Sequence, residues 1–288
     1  MVSRLRGRIA PYALVLPGGL WLLVFFVVPM VFMLSLSLQQ GDVVNGYEFT
    51  WHWQTYVDAL DRYRDQILRS LWFGLLATVI QIVVAFPIAY YIAFKAGRYK
   101  STFLFIMLLP FFVSFVLRTI SWKFILTDEG ILLGPLKEWG WVPESFHILG
   151  TAPAVVFGLT YNFLPFMVLP IYVALERIDP RLLEAARDLY ATPPQVFRRV
   201  VLPLSLPGVF AGVLMTFVPA SADYVNAGVL GSSGTTMIGN VIQAQYLQSQ
   251  NYPTASALSF VLMAIMLVGI FTYARLLGTE DVMTVAAR

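Results

Sequence analysis

The sequence predicts an all-α integral membrane protein of six transmembrane helices, with both termini in the cytoplasm. Three observations carry that prediction. Of 288 residues, 58% are hydrophobic and 12% charged, with a mean hydropathy of +0.73; soluble domains carry roughly 25% charged residues. Six stretches approach the ~20 apolar residues that cross a bilayer: 12–38, 70–94, 102–126, 152–175, 208–227 and 254–277. Basic residues are also divided unevenly between alternate loops, which sets orientation.

The spans read as helices because lipid offers no partner to an open backbone group. Pro17-Gly18-Gly19 loosens the start of the first, and Pro29 is placed to kink it. Its apolar run is too long for a cleaved signal segment, so it reads as a retained helix. A polar segment from Gln39 to Arg69 follows, helix-like from Thr55 to Ser70, with Trp51, His52, Trp53 and Tyr56 as an interfacial belt. The short turn from Lys95 to Lys100 makes the second and third spans antiparallel neighbours. Gly and Pro breaks mark the loop 127–150, where Trp139 and Trp141 are further interface anchors. The run Met237–Tyr246 is amphipathic and reads as a short helix on the outer surface. No repeat or low-complexity segment interrupts the chain, so residues 1–288 read as one transmembrane domain.

Orientation follows from thirteen basic residues on one side against five on the other. Arg4, Arg6, Arg8, Lys95, Arg98, Lys100, Arg177, Arg181, Arg187, Arg198, Arg199, Arg275 and Arg288 mark the cytoplasmic side, while acids such as Asp42, Asp128 and Glu129 lie outside. The net charge of +3 and pI near 9.1 therefore report topology rather than nucleic-acid binding. Absence of cysteine excludes disulfides and thiolate metal sites.

Enzyme chemistry finds few residues. His52 and His147 are the only histidines, so no metal-spaced cluster exists. Gly231-Ser232-Ser233-Gly234 matches the nucleophile pattern of an intramembrane hydrolase, but no histidine follows to serve as base; a flexible loop is the better reading. No Walker A loop is present, so ATP hydrolysis would belong to another chain.

The cytoplasmic loop 176–207 carries the sharpest signal. Asp179-Pro180 starts a helix, and Leu182, Leu183, Ala186 and Leu189 share one broad face. Thr192 and Gln195 stand at capping-box spacing, with Pro193 at the first position of a second helix that Pro203 weakens. Two short capped helices form a rigid knob, or else a helix pair lying on the membrane. Small Ala185 and Ala186 admit a partner's backbone, and Glu184 offers it a carboxylate.

This stretch resembles the EAA loop of ABC-importer permeases: Glu-Ala-Ala, three residues, Gly, nine residues, then Ile-x-Leu-Pro. Glu184-Ala185-Ala186 matches, Val200 stands for Ile, and Leu202-Pro203 falls in place. Tyr190 occupies the usual Gly, where a left-handed turn costs a bulky residue about 1–2 kcal/mol; it bears that strain or the turn changes shape. Asp188 lies between these landmarks. Leu117-Arg118 with Trp122, Thr127 to Gly130, Leu164 to Met167 and Ile238 to Ile242 are similar to the spermidine/putrescine branch, although iron, phosphonate and thiosulfate permeases share the background.

The resemblance implies a type I ABC importer permease fold in a bacterial inner membrane, with no catalytic site and no cofactor of its own. Two ATPase subunits binding ATP and Mg, a second related permease and an external substrate-binding protein are the implied partners, and a polyamine the implied solute. A stand-alone channel would not need the Glu184 knob. Carboxylates and aromatic faces suit a polycation. Asp223 is the only acid within a predicted span, with Tyr224 and Asn226 beside it. Tyr161 and Asn162 form a similar pair, and Arg118 and Trp122 complete the candidate pathway. The alternative for Asp223 is a structural pairing with Arg118.

Overall fold

The computed structural model describes residues 15–276; Arg4, Arg6, Arg8, Arg288 and the expected span limits at 12 and 277 lie outside them. Apolar sequence in lipid becomes helix, and eleven helices, α1 to α11, carry most of the described chain. Five are long and apolar enough to cross a membrane: α1 (Val15–Ser37), α2 (Gln54–Phe94), α6 (Ala152–Glu176), α8 (Pro193–Ser221) and α11 (Tyr252–Arg275). A sixth span is broken, α3 (Lys100–Leu108) and α4 (Phe115–Leu126) meeting at a bend of 89°. The shorter helices are α5 (Leu133–Glu138), α7 (Pro180–Asp188), α9 (Val225–Leu230) and α10 (Ile238–Leu247).

The chain groups into two compact units, Met1–Tyr63 with Ile242–Ala264 and Arg64–Val241 with Ile265–Arg288. In the first, α1 exposes every residue from Val15 to Pro29, the pattern of a helix whose solvent is lipid. A two-stranded hairpin, β1 (Gln39–Asp42) and β2 (Gly46–Phe49), follows it. The all-α expectation missed this hairpin, although Asn45-Gly46 is a strong turn signal. Asp42 Oδ1 closes the turn by accepting from the Val44 and Asn45 amides at 2.9 and 2.7 Å. The Tyr47 hydroxyl donates to the Gln250 carbonyl at 2.5 Å, and Gln245 Nε2 to the Tyr63 hydroxyl at 3.0 Å. Tyr63 leaves helical geometry (φ −113°, ψ 17°), so α2 kinks where a helix-like run and a separate span were expected.

In the second unit, α6 and α8 pack along their length because glycines let their backbones approach. A Cβ at Gly208 would lie 2.5 Å from both the Ala174 Cβ and the Pro170 carbonyl oxygen. One core joins Ala85, Phe86, Ala89 and Ile92 of α2 to Met167, Ile171 and Leu175 of α6 and to Val196 and Val201 of α8. A second gathers Phe73, Ala77, Val155, Leu159, Ala220 and Met237. Lys100 Nζ reaches Glu176 Oε1 at 3.3 Å.

Three expectations need correction. The span 102–126 is not continuous: Pro110 supplies no amide to the ladder, Val113 and Ser114 are extended, and the helix restarts at Phe115. The span 208–227 ends at Ser221, so Asp223 lies past the helix. The helix near 237–246 does not simply lie on a surface, since Met237 and Ile238 are fully buried and the Ile238 amide donates to Ser70 Oγ at 2.7 Å.

Gly208→Val forces α6 and α8 apart, with an expected loss of about 1–3 kcal/mol. Gly269→Ala, where an added Cβ meets nothing within 4 Å, is the matched control. Thermal unfolding of the detergent-purified protein should separate the two variants; equal midpoints would refute this account of the packing.

Candidate functional site

The loop between α6 and α8 is built from two capping devices. Asp179 Oδ1 accepts from the Arg181 amide at 2.9 Å and starts α7 at Pro180. At the other end Tyr190 takes φ +60°, the left-handed value that ends a helix. Its amide donates to the Arg187 carbonyl at 2.8 Å, and the Ala191 amide to the Ala186 carbonyl at 3.1 Å. These are the paired bonds of a Schellman turn. Tyr190 therefore bears the strain that glycine would avoid, with 95% of its surface exposed.

Thr192 then opens α8 with the expected box, its amide donating to Gln195 Oε1 at 2.8 Å. Unlike the expected separate second helix, α8 runs unbroken from Pro193 to Ser221. A π turn over Phe197–Val201 carries it past Pro203, with the Leu202 amide reaching back five residues to the Phe197 carbonyl. The wider turn relaxes the close approach of a proline ring to the preceding turn. The same device occurs in α1, where a π turn over Leu23–Val27 precedes Pro29.

The loop is anchored by packing. The Phe197 ring meets Phe86 edge-on at 5.4 Å and Tyr90 at 6.3 Å, while Val196 and Val201 enter the core. Leu183, Ala186 and Ala191 pack against that core, but Leu182 and Leu189 stay exposed, so the expected four-residue apolar face is half as wide. Glu184, Ala185, Asp188 and Pro203 are exposed; Val200 and Leu202 are half-buried. The result is a knob held from beneath, with an open surface of small and charged residues.

A second group lies among α4, α6 and the segment after α8. Asn162 Nδ2 donates to Asn226 Oδ1 at 2.9 Å and to Thr119 Oγ1 at 3.0 Å. The Asn226 amide donates to Asp223 Oδ1 at 2.7 Å, making the carboxylate a cap for α9. Asn162, Asn226 and Thr119 are at most 1% exposed and Asp223 7%. Nothing in the sequence marked Thr119, because a threonine inside an apolar helix usually bonds its own backbone. It does that too, donating to the Phe115 carbonyl at 3.1 Å.

The structure does not pair Arg118 with Asp223. Its guanidinium lies over the Phe111 ring at 4.0 Å, and it forms no ion pair among the described residues. Tyr161 stacks on Phe111 at 6.3 Å and meets Trp122 edge-on at 5.2 Å; Tyr224 is half exposed. Farther along, Asp128 is engaged by His147 Nδ1 at 2.6 Å and Lys137 Nζ at 3.2 Å. Desolvation raises its pKa, but the hydrogen bonds from His147 and Lys137 outweigh it and leave the carboxyl below its ordinary value. Among the described residues no group of three His, Asp or Glu could hold a metal.

Residues 67–278 match the family model described as binding-protein-dependent transport system inner membrane component. The chain belongs to this family. The permease is 37% identical over 256 residues to the spermidine/putrescine transport system permease protein PotB of Haemophilus influenzae, covering 88% of this chain and 90% of that one. Against the PotB of Escherichia coli K12 it is 32% identical, covering 88% and 93%. It is also 36% identical to the inner membrane ABC transporter permease protein YdcU of the same strain, over 75% and 72% of the two chains. A chain of a bacterial ABC transporter that imports the acidic polysaccharide alginate superposes with a TM-score of 0.72 at 20% identity, covering 96% of the permease and 98% of that chain. A chain of the MetNI methionine ABC transporter gives 0.58 at 20% identity over 74% and 93%. Both structures share the permease's fold.

Two substitutions test these geometries. Tyr190→Gly removes the left-handed strain and should stabilise the permease by about 1 kcal/mol, read as a higher thermal midpoint; a lower midpoint would show that the ring contributes more than the turn costs. Asn162→Ala leaves Asn226 Oδ1 with only the longer contact from the Thr119 hydroxyl at 3.4 Å and should cost about 1 kcal/mol or more, read as a lower thermal midpoint.

Proposed function

We propose that this permease is the membrane subunit of an ATP-driven importer of polyamines, with both termini and the α7 knob in the cytoplasm. The observation that carries the reading is the knob itself: Glu184, Ala185, Asp188 and Tyr190 project from a turn closed by its own backbone and seated on a core. Two ATPase subunits, which bind ATP and Mg, grip such knobs; ATP binding draws them together and turns the pathway outward, and hydrolysis resets it. Rigidity between knob and span is what the coupling requires, and the unbroken α8 supplies it from Thr192 onward. A second related permease completes the pathway, and an external binding protein delivers the solute. The polyamine assignment is supported by the names of the Haemophilus and Escherichia relatives.

Within this reading Tyr161, Trp122 and Tyr224 offer ring faces to ammonium groups, while Asn162, Asn226 and Asp223 hold the surrounding helices. Asp223 adds the one negative charge of the group. An anionic solute is the second reading, and Arg118, a cation without an ion-pair partner among the described residues, favours it.

Reconstitution of the complex tests the choice directly. ATPase activity should rise when the binding protein carries spermidine or putrescine, and no rise with either would transfer the assignment to another solute. Asparagine also caps helices, so Asp223→Asn removes the charge but keeps the bond to Asn226. Uptake should fall with assembly intact; unchanged uptake kinetics would place that charge outside the pathway.

A further inference from the structure

Arg118 is held in an unusual way for a charge at membrane depth. Its Cζ lies 4.0 Å from the centre of the Phe111 ring and 6.0 Å from that of Phe115. Nε and Nη1 are buried and find no acceptor among the described residues. Phe111 is backed by Tyr161, and Tyr161 by Trp122. The guanidinium thus rests on ring faces where buried cations usually have a carboxylate or several hydrogen bonds. It is retained by contact with ring faces, and the three N–H bonds on its two orphaned nitrogens oppose its staying there.

The bend places this arrangement. Phe111 lies before the 89° break and Phe115 and Arg118 after it, so the break brings rings from both limbs against one side chain. Phe111, Phe115, Tyr161 and Trp122 are half-buried rather than sealed, which leaves the ring faces reachable.

We propose that Phe111 and Phe115, with Tyr161 and Trp122 packed behind Phe111, form a cation site that Arg118 occupies as a tethered stand-in, to be displaced by an ammonium group of the transported solute. This rests on the polyamine reading above. Ring quadrupoles attract ammonium and guanidinium alike, so an arriving polyamine competes for the same faces and repels the guanidinium as it enters. When the solute leaves, Arg118 returns and closes the cage. A cation of the chain's own thereby keeps the cage filled between transport events, and small inorganic cations gain no foothold.

The test is equilibrium binding of radiolabelled spermidine to the purified membrane complex of this chain with its partner subunits, without the binding protein. Uptake by the complete wild-type system, measured first, establishes whether the solute is a polyamine at all, so failure of that reading is seen separately. Arg118→Met removes the competitor at similar length, and spermidine should bind about three- to tenfold more tightly. Phe111→Leu, with Arg118 in place, should bind it more weakly by a similar factor. Weaker or unchanged binding in Arg118→Met would overturn the proposal. So would loss of the partner permease from that variant, which would mean that Arg118 pairs across the subunit interface. Unchanged binding in Phe111→Leu would overturn it equally.

Discussion

The edge-on seating of Phe197 against Phe86 and Tyr90 is the contact on which the α7 region depends. Everything exposed in that region sits on the nine-residue helix α7 and the turn that ends it, and so short an element alone is easily deformed. Phe197, Val196 and Val201 fix the base of α8 in the same core that holds α2 and α6. Because that core is continuous with the α6–α8 seam, a displacement of the knob would be passed on as movement of packed helices. Without the anchor, the same displacement would be absorbed locally.

The buried amide group answers a different problem. The segment after α8 has to reverse within an apolar setting, where each open backbone group is expensive. Asp223 meets the first amides of α9, Asn226 turns inward, and Asn162 and Thr119 receive it. A polar set of this size fixes how α4, α6 and α9 meet more narrowly than apolar packing does, since each bond has one geometry. The permease thus has two stiff regions in its larger unit, one apolar and one polar.

Much of this was legible in the sequence, and the limits are physical. The presence of long apolar helices, the Asp179 and Thr192 caps and the Glu184 to Pro203 spacing follow from local chemistry, which needs no knowledge of neighbours, whereas the ends of several helices do not. Tyr190 in place of glycine left open a strained turn or one of another shape, and its φ of +60° decides for the strained turn. What local chemistry could not resolve was the response to proline: Pro110 coincides with a break, whereas Pro203 and Pro29 are absorbed by π turns. The chain is apolar on both sides of Pro110, so composition alone did not separate a bend from a continuous span. The destination of Arg118 was likewise hidden, because the two rings that receive it come from opposite sides of that bend.

The π turn at Phe197–Val201 has a consequence for the history of the chain. Such a turn holds one residue more than an α turn, so deleting one residue there would restore an ordinary helix and leave the faces of α8 beyond it pointing as they do now. The same deletion a few residues later would rotate everything downstream by about 100° and turn Gly208 and Gly212 away from α6. A change of length immediately before Pro203 therefore spares the seam and costs only the renewed crowding of the proline ring, whereas one farther along disrupts the seam itself.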